Sequence, residues 1–160
     1  MEYNFEELLV VKENDGESTI FHFSGVINEE FLQQQIEIPI SPNIVLDLDK
    51  VKLINSCGIR EWIRFIQRMD QQEKIIYRQI PKVFINQMNI VKGFVTKNSL
   101  VESFYAPYFD EDNDLEMDKL IFTDQVVDSQ APVFMNEQGN ELEFDAFEST
   151  YFKFLKEIGS

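Results

Sequence analysis

The stretch from Asn43 to Met69 changes its hydrophobic period in mid-course, and that change limits what the chain can become. Asn43-Ile44-Val45-Leu46-Asp47-Leu48-Asp49, opened by Pro42, reads as a strand buried on at least one face. Val51-Lys52-Leu53-Ile54 continues it toward Asn55-Ser56-Cys57-Gly58. Beyond that small polar turn, Ile59, Trp62, Ile63 and Ile66 fall at i, i+3, i+4 and i+7, with Met69 near the end, which predicts an amphipathic helix over 57–70. Either Asn55 or Ser56 supplies the N-cap oxygen for a free amide of the first turn, and Gly58 allows another backbone to approach closely. The Ser56 hydroxyl is then expected at the positive end of a helix, at the mouth of a strand.

Other elements arrange themselves around this unit. Leu8-Leu9-Val10-Val11-Lys12 and Ser18-Thr19-Ile20-Phe21-His22-Phe23 flank Asn14-Asp15-Gly16, a hairpin signal that places Phe21 and Phe23 on one face and Ile20 and His22 on the other. Asn28-Glu29-Glu30-Phe31-Leu32 reads as a cap and short helix, with Pro39 and Pro42 breaking the chain after it. Lys74–Arg78 forms another strand, Pro81 opens a helix through Val83, Phe84 and Met88, and residues 100–105 supply the last strand. The order β-β-α-β-α-β-α-β implies an α/β fold: a mixed sheet, antiparallel in its opening hairpin and largely parallel afterwards, covered by helices.

Strand, Asn55-Ser56-Cys57-Gly58 and amphipathic helix together resemble the Asp-Ser-Ser/Thr-Gly signature of STAS domains, the module of bacterial anti-sigma-factor antagonists. Gly25-Val26-Ile27 is similar to that family's Gly-Glu-Leu/Ile step, and the layout matches over about residues 5–105. The resemblance implies a STAS-like domain over 1–105, a non-catalytic protein-interaction role, and Ser56 as the serine that is phosphorylated. It implies a protein partner: an anti-sigma-type serine kinase or a related regulator in a bacterial partner-switching pathway. Asn55 stands where the signature has aspartate, and Cys57 where it has a second hydroxyl residue.

Charge divides the chain unevenly. Residues 1–98 hold 11 Lys+Arg and 14 Asp+Glu, whereas 99–160 hold 3 and 15. A net charge of −15 disfavours nucleic acid and anionic membrane surfaces as partners, since both require cations to replace counterions. With no basic leader, no long apolar segment and a single cysteine, Cys57, the chain reads as soluble and cytoplasmic, without a disulfide or a cysteine-held zinc. Residues 106–160 are expected to form an acidic β-rich lobe ending in a helix. That helix is capped by Asp145 and Glu148 and carries Phe147, Tyr151, Phe154, Leu155 and Ile158 on one stripe.

Asp110-x-Asp112-x-Asp114 resembles the opening of an EF-hand loop, but glycine at the sixth position and glutamate at the twelfth are missing. The lobe also resembles a zinc ribbon that has lost its cysteines: Asp110, Asn113, Met135 and Gln138 stand at the ligand positions and cannot replace four thiolates. A plain β-hairpin lobe is the alternative. Either form has to be held by packing of Phe109, Phe122, Phe134 and Phe144, and no metal or cofactor is expected.

Arg60, Arg64 and Arg68 stand at i, i+4 and i+8, a basic ridge beside Ser56 that is either a solvated face paired with Glu61 and Asp70 or a dock for an acidic partner or for the acidic 110–118 segment of this same chain. Phe65 lies between them, off the apolar stripe, as a candidate exposed anchor. Asn55, Cys57, Gly58, Arg60, Arg64, Phe65 and Arg68 are thus the candidate partner-binding residues around Ser56. A nucleophile built from Cys57 and His22 requires the fold to join two distant segments, and no catalytic motif supports enzyme activity. A constitutive scaffold that never carries phosphate and a small-ligand or nucleotide binder using the 55–58 turn are the other functional classes.

Overall fold

The computed structural model describes residues 1–158 and builds them around two sheets. The larger contains β1 (Glu2–Phe5), β2 (Leu8–Asn14), β3 (Ser18–Ile27), β4 (Asn43–Ile54), β5 (Lys74–Arg78) and β6 (Ser99–Val101), side by side in chain order. β1, β2 and β3 pair antiparallel, and β3 through β6 pair parallel. Antiparallel neighbours need only tight turns, whereas each parallel step needs a crossover. Residues 28–42, helix α1 (Ser56–Gln67) and helix α2 (Lys82–Ile90) lie in the three crossovers. The sheet is the mixed α/β arrangement expected from the sequence.

Two local expectations fail in this part. β1 is an additional edge strand in which only Phe5 is buried, so alternation gave no sign of it. No helix forms at 28–32: the Asn28 side chain accepts the Glu30 N–H at 2.9 Å in a turn of its own, and a 3-10 turn follows at Gln33–Gln35.

One face of the sheet holds the core. Trp62, Phe65 and Ile66 of α1, with Met69 just beyond it, are fully buried, as are Phe21, Phe23, Leu46, Leu48, Ile75 and Tyr77 on the strands. The buried stripe of α1 therefore runs through 62, 65, 66 and 69, while Ile59 and Ile63 are only half-buried. Phe84, Ile85 and Met88 of α2 close the same layer.

Beyond a single residue, Glu102, the chain enters a second sheet. β7 (Ser103–Asp110) is its centre, with β8 (Leu115–Phe122) and β9 (Glu143–Phe144) antiparallel on either side. The strand expected at 100–105 is thus two strands in different sheets, and the expected division at 105/106 falls inside β7. Phe104, Ala106, Tyr108 and Asp110 are buried at every second position, which carries the strand across that point. The lobe is tied to the main sheet at this crossing: Tyr105 N–H donates to the Ile80 carbonyl at 2.8 Å, and the Tyr105 hydroxyl to Oδ1 of Asp49 at 2.6 Å.

Packing in the lobe also differs from expectation. Its buried residues include Phe104, Tyr108, Ile121, Leu142, Tyr151, Phe152 and Phe154. Of the four phenylalanines expected to hold it, Phe134 and Phe144 stack edge-on against Tyr108, while Phe122 is exposed. The terminal helix is two short turns, α3 (Glu148–Tyr151) and α4 (Lys153–Lys156), broken at Phe152. Glu148 accepts the Ala131 N–H rather than closing a box with Asp145, and Phe147 precedes the helix with 83% of its surface exposed.

The tyrosines predict an alkaline signature. Burial pushes the phenols of Tyr77, Tyr108 and Tyr151 well above their ordinary range, and the hydrogen bond to Asp49 raises Tyr105 to about 12. Each folded-state value exceeds the unfolded one, so the stability these groups contribute is complete below about pH 10 and is lost as pH rises beyond it. An ultraviolet tyrosinate titration followed with circular dichroism should show these phenols ionising together with unfolding. Ionisation of all five tyrosines near pH 10, with the dichroism unchanged, would contradict the burial.

Candidate functional site at the 55–58 turn

β3 and β4 end together, and Asn55 N–H donates to the Ile27 carbonyl at 3.1 Å as the last link before α1 begins. Asn55 is extended, with φ −96 and ψ 179, and its Oδ1 accepts the Gly58 N–H at 2.8 Å. Asn55 is therefore the N-cap, and Ser56 is the first helical residue. Ser56 is exposed, and among the described residues nothing holds its hydroxyl.

The other end of the Asn55 amide explains its type. Nδ2 donates to Oε2 of Glu29 at 3.2 Å. Glu29 is held below the usual carboxylate range by a backbone N–H and by this amide. An aspartate at 55 would cap α1 equally well but would face Glu29 with a second negative charge, whereas asparagine supplies both the acceptor and the donor. Glu29 was expected in the first turn of a helix. Its placement beside the cap had one sequence signal, an amide at a position where the signature has a carboxylate.

Around the turn, the candidate residues separate. Gly58 is buried and Cys57 half-buried with a free thiol. His22 lies on β3 in register with Asp47, short of the strand end at Ile27. Its ring nitrogens stand 3.1 Å from Asp47 Oδ2 and 3.0 Å from Glu13 Oε2, so no pair with Cys57 is assembled.

The basic ridge is shorter than its spacing implied. Arg60 and Arg64 are exposed, but Glu61 lies between them, 3.7 Å from Arg60 Nε and 2.8 Å from Arg64 Nη1. Arg68 is committed elsewhere: Nη1 donates to Oε1 of Gln33 at 3.1 Å and Nη2 to the Ile36 carbonyl at 2.7 Å, tying the 28–42 crossover to α1. Phe65 is not an exposed anchor. It is fully buried, with its ring centroid 5.9 Å from those of Phe21 and Phe23 and 5.7 Å from that of Phe31.

In the lobe, three of the four ribbon positions meet. Asn113 Nδ2 donates to Asp110 Oδ2 at 2.7 Å, and the Asn113 and Gln138 amides exchange hydrogen bonds at 3.2 and 3.3 Å. Asn136 Nδ2 adds donations to Asp110 at 3.0 Å and Asp112 at 2.7 Å. The Asn113 and Asn136 amides hold Asp110 below the usual carboxylate range and occupy oxygens of Asp110 and Asp112, two of the three aspartates a calcium loop would use. Met135 is half-exposed and pairs by a β-bridge with Glu141. Among the described residues, no group of three His, Cys, Asp or Glu side chains is placed to hold a metal ion. No described helix is long and apolar enough to cross a membrane.

No family model and no curated protein matches the sequence. Among solved structures, the chain is similar to the crystal structure of an anti-sigma factor antagonist from Mycobacterium paratuberculosis. That similarity has a TM-score of 0.45 and 16% identity, and covers 52% of this chain and 76% of that one.

Proposed function

We propose that the chain is a non-catalytic regulatory protein-interaction module that meets its partner at the 55–58 turn and the exposed start of α1. In this reading, phosphorylation of Ser56 switches the contact. The observation that carries it is the division of labour at the turn: Asn55 does the capping, so the exposed Ser56 hydroxyl can be modified without opening the helix.

A phosphate there adds about two negative charges at a helix N-terminus, which tolerates them. Arg60 stands one turn on, an i,i+4 cation for which that phosphate competes with Glu61. Glu29, bonded to Asn55, is repelled by it. The face presented to a partner changes while the fold beneath it stays. By resemblance to the STAS signature, the partner is a serine kinase of the anti-sigma type or another regulator in partner switching.

The test is phosphopeptide mapping of the protein from its native cells, under growth and under starvation, followed by binding of variants to the captured partner. Phosphate on Ser56 in a condition-dependent fraction is expected. Ser56→Asp should weaken the complex at least several-fold, and Ser56→Ala should leave it intact. A complex indifferent to Ser56→Asp, with no phosphate in any condition, identifies a constitutive adaptor instead.

A further inference from the structure

β8 is the outer strand of the second sheet, paired with β7 along one side only. Which of its backbone groups face outward follows from its neighbours. The Ser103 carbonyl and Tyr105 N–H are engaged by Ile80, and the Pro107 carbonyl by Asp145, so the even-numbered residues of β7 face β8. Their partners are Ile121, Lys119, Met117 and Leu115. Backbone groups alternate sides along an antiparallel strand. The N–H and C=O groups of Glu116, Asp118 and Leu120 therefore point away from the sheet. Phe122 N–H, next in that series, turns to Oε1 of Gln125 at 2.8 Å.

An uncovered row of donors and acceptors is a template for one more strand, and its side chains decide which strand is accepted. Glu116 and Asp118 sit on the edge itself, and Glu111, Asp112 and Asp114 crowd the turn leading into it, all exposed. Of the 15 acidic residues in 99–160, only Glu102 and Asp118 make an ion pair among the described residues. Lys119, the one cation on β8, lies over the Phe134 ring.

A second copy of the chain is a poor occupant. The two antiparallel registers that pair most of the strand with itself set Asp118 against Asp118 or Lys119 against Lys119, and like charges directly opposite are destabilising. The same charges favour a cationic strand. The geometry points to β8 as the docking edge for a basic, extended segment of a partner protein. That segment adds beyond β8, with its cationic side chains opposite Glu116 and Asp118. This interface is separate from the Ser56 turn and goes beyond the reading given above.

The probe is a synthetic peptide of alternating lysine and valine, titrated into the full chain with amide exchange read residue by residue. Binding should slow exchange at Glu116, Asp118 and Leu120. Leu120→Pro removes one outward N–H without touching the β7 ladder, and proline is tolerated on edge strands. With the fold checked by circular dichroism, it should weaken binding several-fold, and so should Glu116→Lys, while Ser56→Asp should leave it unchanged. Absence of binding, binding without protection at those amides, or equal affinity for Leu120→Pro would each overturn the proposal, the last by showing attraction of charge alone. If Leu120→Pro fails to fold, the exchange pattern of the wild-type chain and the Glu116→Lys affinity still decide it.

Discussion

Trp62→Ala should lower the free energy of unfolding by about 4 kcal/mol, the middle of the range for removing a buried aromatic ring. Trp62 has no exposed surface, and its ring lies 4.9 Å from Phe23, 5.6 Å from Phe65, 5.0 Å from Phe84 and 6.3 Å from both Phe31 and Tyr77, centroid to centroid. Those rings belong to β3, α1, α2, the 28–42 crossover and β5. No collapse of one element can fill the gap, because the walls come from five.

The polar part of the loss is smaller. The indole N–H donates to the Tyr77 hydroxyl at 3.2 Å, and that hydroxyl itself donates to the Phe94 carbonyl. Tyr77 keeps its donor bond when the indole is gone, so Trp62→Phe, which retains most of the apolar contact, should cost only about 1–2 kcal/mol. Domains of this kind hold about 5–15 kcal/mol in total, so the alanine variant leaves a marginal protein. Urea unfolding followed by far-ultraviolet circular dichroism compares the three chains, since Trp62 is the only tryptophan available as a fluorophore. A loss below about 1 kcal/mol for alanine would mean that the ring cluster is not packed around Trp62.

The legible parts of the sequence were those whose causes are local. The strand, cap and helix at 43–69 depend on neighbours three or four residues away, and the cap came down to Asn55 because its side chain also answers Glu29. Arg68 was illegible for the opposite reason. The Ile36 carbonyl it meets lies 32 residues away, and a carbonyl is present at every position whatever the side chain. Phe65 was misplaced by a stripe drawn one step off: 62 and 66 fit both faces of α1, and only the location of Phe21, Phe23 and Phe31 selects the face that contains 65.

β6 and β7 look like one strand because a single residue, Glu102, separates them, too few for any turn signal. In the lobe, spacing alone brought 110, 113 and 138 into one neighbourhood. The amides that join them there could be anticipated, since their residue types exclude zinc and each carries both donor and acceptor.

Gly58→Ala should be destabilising by about 3 kcal/mol even though alanine is the better helix former by about 1 kcal/mol. A Cβ at position 58 would stand 2.0 Å from the Ile27 carbonyl oxygen, 2.5 Å from its carbon and 3.0 Å from Asn28 N. These are backbone atoms at the end of β3, fixed by pairing with β4 through Ile54, and no rotamer change can clear them. Ordinary contact needs about 3.5 Å, so the start of α1 has to lift by more than an ångström. That movement strains the Asn55 N–H bond to Ile27 and the cap on Gly58 N–H, each worth about 1 kcal/mol.

For a chain of this length the melting temperature should fall by about 10 °C, at roughly 2–4 °C per kcal/mol. Gly139→Ala separates contact from conformation. Gly139 has a left-handed φ of +83, which the helical Gly58 lacks, and nothing lies within 4 Å of its added Cβ, so only backbone strain of about 1 kcal/mol applies. If calorimetry finds Gly58→Ala no less stable than Gly139→Ala, α1 is not seated on the end of β3. The first helical residue, Ser56, would then not be held at the ends of β3 and β4, where a partner is proposed to meet it.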